Sequence, residues 1–445
     1  MTDEHWLDPD LILCPAGSPH EADASPSSAA HGIVHGQADN TPGGNRRPAM
    51  GTVHFNPMDP EFVEDPYPTY RRLRAEDPVH QNALGFWVLT RYEDVVAALR
   101  DPRLGKEAIA SFVAARFGTP IQTVGLSMLD RDPPDQTRLR GLVSKAFTPR
   151  VVEGLRPHIQ RVVDGLLAHV EGRHSMDLIE EFAYPLPVIV ICQMLGVPVE
   201  DRDRFRQWGL DIARGLDTIL LPADSEVGLR STAARRAMAD YFRALIAERR
   251  AVPRGDMLSD LIAAEEAGDK LSTDELLATC ILLLVAGHET TVNLIGNGTL
   301  ALLRHPDQLQ RLRGDPGLIG SAVEELLRYD GPVQRTARIP SEDVTIGRRT
   351  IPKGELVLPF IGAADRDPAQ FPDPDRLDIG RADNRHIAFG WGIHFCLGAP
   401  LARLEGQIAL GALVRRLPKL ALATDRPEHR PSLTLRGLTS LPVSF

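Results

Sequence analysis

Phe389-Gly390-Trp391-Gly392-Ile393-His394-Phe395-Cys396-Leu397-Gly398 is the stretch around which the rest of the chain is read. Its glycines permit tight turns and close approach of the backbone to something flat or bulky. Ala399-Pro400-Leu401-Ala402-Arg403-Leu404-Glu405 follows directly, with a proline suited to a first helical turn and then an apolar helical period. A cysteine just before a helix start faces the positive end of the dipole and free backbone N–H groups, and both favour thiolate over thiol. A zinc site needs further cysteines or histidines at short spacing, and only His394 is near. A disulfide needs a partner that Cys14, Cys192 and Cys280, all far away in the chain, hardly supply. One thiolate in a glycine cradle flanked by aromatic rings suits the axial position of a haem. An inert cysteine in a glycine-rich loop is the competing reading.

Phe-Gly-x-Gly-x-His-x-Cys-x-Gly followed by Leu-Ala-Arg resembles the haem-binding signature of the cytochrome P450 family, in its soluble bacterial type. The loop alone indicates a reactive thiolate at a helix N-terminus, and the resemblance is what implies haem. It implies a mainly α fold with a small β region and a single haem domain. Haem b would be held by the Cys396 thiolate, with Phe389, Gly390, His394 and Gly398 around it.

Three further motifs fall in the family's order. In Asp132-Pro133-Pro134-Asp135-Gln136-Thr137-Arg138-Leu139-Arg140, positions 136 and 140 lie one helical turn apart. Many bacterial members carry His and Arg there as propionate ligands. This chain keeps Arg140 and replaces the histidine with Gln136, which donates a hydrogen bond but brings no charge. Ser272-Thr273-Asp274-Glu275 predicts a capping box opening a long helix that His305-Pro306 ends near Arg304. Midway, Ala286-Gly287-His288-Glu289-Thr290-Thr291 resembles the oxygen-activation motif. There Ala286 and Gly287 would leave a dent over the iron, Thr290 would hold a water, and Glu289 would relay protons from solvent. Glu325-Leu326-Leu327-Arg328 matches the Glu-x-x-Arg motif, with Arg376 as the residue that completes its triad and Arg338 as a second propionate arginine.

The remaining chain fits this frame. A helix is predicted from Asp65, a strand over 86–90, a helix over 93–99, several helices over 151–260, and a hairpin of the small sheet over 346–354. Segment 105–128 matches no motif and covers the substrate in the family. The run from Pro185 to Cys192 is apolar all round and reads as core, with Cys192 inert. Arginines 235, 236, 243, 249 and 250 read as a solvated helix face. Arg335 could meet a polar group of a substrate.

Composition narrows the partners. The formal charge of −10 makes nucleic acid an unexpected partner. Four cysteines without a CxxC pair fit a reducing compartment. With neither a signal peptide nor a spanning apolar run, a cytoplasmic monomer off the membrane is expected. Residues 1–48 read as a disordered extension, rich in acids, Ser, Pro and Gly, whose His5, His20, His31 and His35 are not a preformed metal site. Residues 49–445 form the haem domain.

The activity implied by the resemblance is a monooxygenase taking one oxygen atom from O2 into a small, largely apolar substrate. No flavin or iron–sulfur domain follows, so a ferredoxin and its reductase are the expected electron donors, with Arg138, Lys145 and Arg403 as docking charges. A peroxide-driven peroxygenase and a haem-thiolate sensor without turnover are the alternatives. The intact Glu289–Thr290 pair favours neither.

Overall fold

A single capping box sets the axis of the molecule. The Ser272 hydroxyl accepts the Glu275 N–H at 3.2 Å, and the Glu275 carboxylate accepts the Ser272 N–H at 2.8 Å. From this cap the long helix runs Thr273–Arg304, about 48 Å at 1.5 Å per residue. At its end His305 leaves the helical region and Pro306 opens the next helix, because the residue before proline is pushed out of the α region. The computed structural model describes residues 53–117, 125–221, 224–266 and 271–445. The extension expected over 1–48, with its histidines and Cys14, lies outside the described residues, as does part of the 105–128 segment.

The long helix is apolar enough over 18 residues to cross a membrane by composition, yet 72% of that window is buried inside the protein. It is therefore the core helix. Pro185–Leu195, Ile319–Asp330 and Ala399–Arg416 pack on it. In the first of these Leu186, Val190, Ile191 and Leu195 are all buried, each contributing roughly 2 kcal/mol of transfer free energy. Burial pushes the thiols of Cys192 and Cys280 up to about 12, so neither is a nucleophile at neutral pH. The core runs continuously from this helix set to the C-terminal strand at Val443.

The β content is small and split. Val79–Gln81 pairs antiparallel with Phe86–Leu89, which pairs in parallel with Leu356–Pro359, Phe86 opposite Leu356. Pro442–Ser444 lies between Ser175–Asp177 and Ala421–Leu422. The hairpin expected in the small sheet forms, with Ile346 opposite Arg349, but Val344–Ile346 and Arg349–Ile351 pair only with each other. Two expectations are corrected elsewhere. Arg249 is not solvated: it is 1% exposed and donates to Asp256 at 2.7 Å. The weakly periodic 105–128 segment contains a helix, Ile109–Phe117.

Candidate active site

The cysteine loop is held in shape by its glycines and closed by its own backbone. Gly390 and Gly392 adopt left-handed φ of 71° and 72°, a region that disfavours side chains. A Cβ on Gly392 would also come within 2.6 Å of the Leu99 carbonyl oxygen. The Cys396 N–H donates to the Phe389 carbonyl at 2.9 Å. Helix Ala399–Arg416 starts immediately after, and the amides of Gly398 and Ala399 turn toward the Cys396 sulfur. Gln136 is buried and donates to the Ile393 carbonyl at 2.8 Å, so the residue at the family's histidine position ties down this loop.

Cys396 is a largely desolvated sulfur. Burial pushes its thiol above the ordinary range, and the pull from Gly398, Arg140, Arg403 and Ala399 does not overcome that. In the absence of a metal, desolvation of the sulfur outweighs the two amides and the cations. A bound metal would supply the missing positive charge.

Two neighbouring glutamates of helix Ile319–Asp330 each centre an ion-pair cluster, and the first holds the loop. Arg403 grips Glu324 with two bonds of 2.7 Å and stacks over Phe389 at 4.5 Å. His386 reaches the same carboxylate at 3.0 Å. Burial would raise Glu324, but His386 and Arg403 bring it to about 2. Arg403 is therefore a strut of the loop, and Arg138, 2.5 Å from Glu275, is likewise engaged inside the chain. In the second cluster Arg328 donates to both oxygens of Glu325 at 2.8 and 2.9 Å. The triad is completed by Arg381, at 3.1 and 3.2 Å, not by Arg376. The Arg376 side chain is exposed, and only its backbone carbonyl joins the cluster. The chain turns back at Asp378–Arg381, and that turn decides which arginine arrives.

Beside the loop the structure gathers basic groups, with Asp130 and Asp132 as the acids nearby. His394, Lys106, Arg338 and Arg140 lie close enough to perturb one another. Burial, then Lys106, Arg338 and Arg140, drive His394 down to about 3. Burial and Arg338 bring Lys106 to about 7, and burial brings Arg338 to about 10. Among the described residues the Arg338 guanidinium donates to the Ala337 carbonyl and the Thr336 hydroxyl, at 2.8 and 3.2 Å. Among the described residues no salt bridge joins a carboxylate to Arg140, Arg338 or Lys106, although Asp132 accepts the Lys106 backbone N–H at 2.9 Å. Crowded buried cations without counter-ions are costly. A bound dianion would relieve that cost, so these donors fit the two propionates of haem b.

Across from the loop, the long helix presents the second half of the site. Thr290 donates its hydroxyl to the Ala286 carbonyl at 3.0 Å and retains acceptor capacity for a water. Ala286 is exposed. Gly287 differs from expectation: a Cβ there would meet the Ile191 side chain at 2.9 Å, so this glycine is required by packing against Pro185–Leu195. Glu289 is also not in contact with solvent. It is 3% exposed, with one oxygen 3.0 Å from Arg430 Nη1 and the other 3.2 Å from His288 Nε2. Burial works to raise its pKa, but His288 and Arg430 outweigh it and keep the carboxyl below the usual range.

The family model described as Cytochrome P450 matches residues 79–315 and 318–442. The chain belongs to the cytochrome P450 family. Cytochrome P450 107B1 of Saccharopolyspora erythraea is 48% identical over 401 residues, covering 87% of this chain and 96% of the relative. The polyketide biosynthesis cytochrome P450 PksS of Bacillus subtilis is 43% identical over 413 residues, covering 89% and 100%. Among solved structures, the myxobacterial cytochrome P450 CYP267B1 in complex with myristic acid superposes with a TM-score of 0.82 at 47% identity, covering 87% of this chain and 98% of that one.

As a bacterial P450, the protein is a haem-thiolate monooxygenase that uses haem b with an axial cysteine thiolate and inserts oxygen into small organic substrates. Three residues of this P450 site carried no usable signal in the sequence. Lys106 stands in a stretch without a motif, and its role comes only from meeting Arg338 and His394 in space. Arg430 lies 141 positions from Glu289. Arg381 lies five positions beyond Arg376, and chain spacing alone does not show that it is the one that reaches Glu325.

Proposed function

We propose that Cys396 supplies the thiolate of this P450, and that Arg140, Arg338, His394 and Lys106 hold the propionates of its haem. The haem would supply oxygen activation, which no protein side chain can perform. Phe389, Gly390 and Gly398 shape the loop so that the sulfur meets amide donors. Thr290 holds a water at the helix surface beside Ala286 through its free lone pairs. Glu289 stores a negative charge next to it, clamped by Arg430 and His288. For a proton to pass through this carboxylate, Arg430 has to release it. Arg430 thus sets when Glu289 can take up a proton, and solvent exposure of Glu289 does not.

Electrons come from a ferredoxin and its reductase, and the protein works as a cytoplasmic monomer. Its substrate belongs to secondary metabolism and is largely apolar, of the kind indicated by a polyketide-biosynthesis relative and by a structural neighbour holding myristic acid. The observation that carries this reading is the cluster of four basic groups beside Cys396, which among the described residues forms no salt bridge with a carboxylate. The test is reconstitution with NADPH, a ferredoxin and a ferredoxin reductase against a panel of such compounds. Product from the redox chain and none from hydrogen peroxide alone supports it. Product from peroxide alone would establish the peroxygenase reading instead.

A further inference from the structure

His288 precedes Glu289 on the long helix and is fully buried. Its Nδ1 lies 2.7 Å from the Leu284 carbonyl oxygen. A carbonyl oxygen only accepts, so Nδ1 carries a hydrogen, and in a neutral imidazole Nε2 is then bare. That nitrogen lies 3.2 Å from Glu289 Oε1, near enough for an ion pair though not in line for a hydrogen bond. A bare nitrogen and a carboxylate oxygen repel each other, and in a buried site nothing screens them. The two side chains are therefore compatible only with a proton between them.

Arg430 decides where that proton rests. Its Nη1 lies 3.0 Å from Glu289 Oε2 and favours the carboxylate, which leaves the proton on His288 Nε2. The surrounding elements offer no other source. Tyr184 sets its ring edge-on to His288 at 6.1 Å, and helix Pro185–Leu195 brings Cys192; burial raises both the phenol and the thiol, so each keeps its proton. Helix Arg202–Arg214 approaches at Gly209, where a Cβ would meet Nε2 at 2.6 Å. The same helix carries Asp203 and Arg206, and Arg206 stacks on Tyr184 at 4.8 Å and pairs with Glu180. A guanidinium does not give up a proton. Of the side chains paired with Glu289 among the described residues, only the imidazole releases one readily.

We propose that His288 and Glu289 share one stored proton, held on His288 Nε2, and that His288 is the donor that charges Glu289 for oxygen activation. This rests on the P450 site proposed above. In the transfer the Nε2–H bond breaks and an Oε1–H bond forms on Glu289, with no electron moved and the ion pair neutralised. Glu289 passes the proton on to the water held by Thr290, and a proton from bulk water restores the pair. Arg430 lines a small cavity with Tyr70, Gln334, Ser432 and Arg436, and solvent reaches the pair from there once the guanidinium leaves Oε2. His288 acts through Glu289 and does not itself meet the reacting atoms.

Nitrogen-15 histidine NMR of the reduced, carbon monoxide-bound protein reads the ring without turnover. The His288 signal is identified by its loss in His288→Gln or His288→Phe. At neutral pH both ring nitrogens should carry hydrogen, and in Glu289→Gln the Nε2 hydrogen should be gone. A neutral His288 ring in the wild type would overturn the proposal. Turnover with NADPH, a ferredoxin and its reductase gives the second readout. Product formed per NADPH should fall about tenfold in His288→Gln and in His288→Phe, with hydrogen peroxide in its place. Wild-type coupling should decline as rising pH strips the stored proton, and both variants should lose that decline. Phenylalanine keeps a ring edge against Tyr184, so a loss of packing alone would leave His288→Phe coupled like wild type, and that result would refute the donor role. So would a wild-type pH profile retained in either variant. A doubly protonated His288 ring in a wild-type protein that makes no product would strike the proposed function and leave the stored proton standing.

Discussion

Replacing Arg381 by alanine should damage the protein far more than replacing Arg376, although both arginines lie in the same turn. Arg381 Nε donates to both oxygens of a Glu325 that is completely buried, and its Nη atoms cap the carbonyls of Pro372, Asp373 and Arg376. Removing one partner of a buried pair costs about 3–5 kcal/mol. Here Arg328, the Asn384 amide and the Asp378 N–H still satisfy the carboxylate, so the loss should be nearer about 2–3 kcal/mol. Arg376 exposes its side chain, and its alanine variant should stay within about 0.5 kcal/mol of wild type. At roughly 2 cal/mol/K of unfolding entropy per residue, a domain of this size loses about 1 °C in Tm per kcal/mol. The Arg381 variant should then melt about 3 °C lower, with a smaller thiolate–carbon monoxide band, since Glu325 is next in the chain to Glu324, which holds Arg403 and the cysteine loop. Thermal melts of the haem-loaded proteins, followed at the Soret band and by circular dichroism, give both numbers. An Arg376 variant as damaged as the Arg381 variant would refute the reasoning.

Cys396→His should lose the reduced carbon-monoxide band of thiolate ligation; its persistence would exclude Cys396 as the ligand. Thr290→Ala should keep consuming NADPH but release hydrogen peroxide in place of product, and unchanged coupling would move water control away from Thr290. Glu405 lies buried between helix Ala399–Arg416 and the long helix, and burial pushes its carboxyl up to about 8, with Thr291 pulling weakly the other way. The folded state therefore holds this proton more tightly than the unfolded chain, and stability is lost as pH rises from about 4.5 to 8. Glu405→Gln should match wild type at pH 5 and exceed it by on the order of 3–5 kcal/mol at pH 9, read by denaturant titration at the two pH values. Equal stabilities at pH 9 would show the carboxylate to be better solvated than its burial implies.

Local chemistry in the chain determined the elements that depend on nearby residues alone. Ser272 and Glu275 lie three positions apart and cap the long helix whatever surrounds them, and Pro306 ends it for steric reasons. The glycines at 390 and 392 turn the cysteine loop because side chains disfavour that φ. Glu325 and Arg328 share a helix face, so their pairing was readable too. Residues joined across long stretches of chain were not readable. Arg430 and Glu289, Arg381 and Glu325, Lys106 and His394, and Asp217 with Arg335 meet only after the helices pack, since a side chain carries no record of what will face it. Burial is the other quantity the sequence lacks. It alone turned Glu289 from a solvent relay into a clamped ion and Gly287 from a dent into a packing contact with Ile191. Desolvation depends on every atom within several ångströms, and those atoms are assembled only by the tertiary fold.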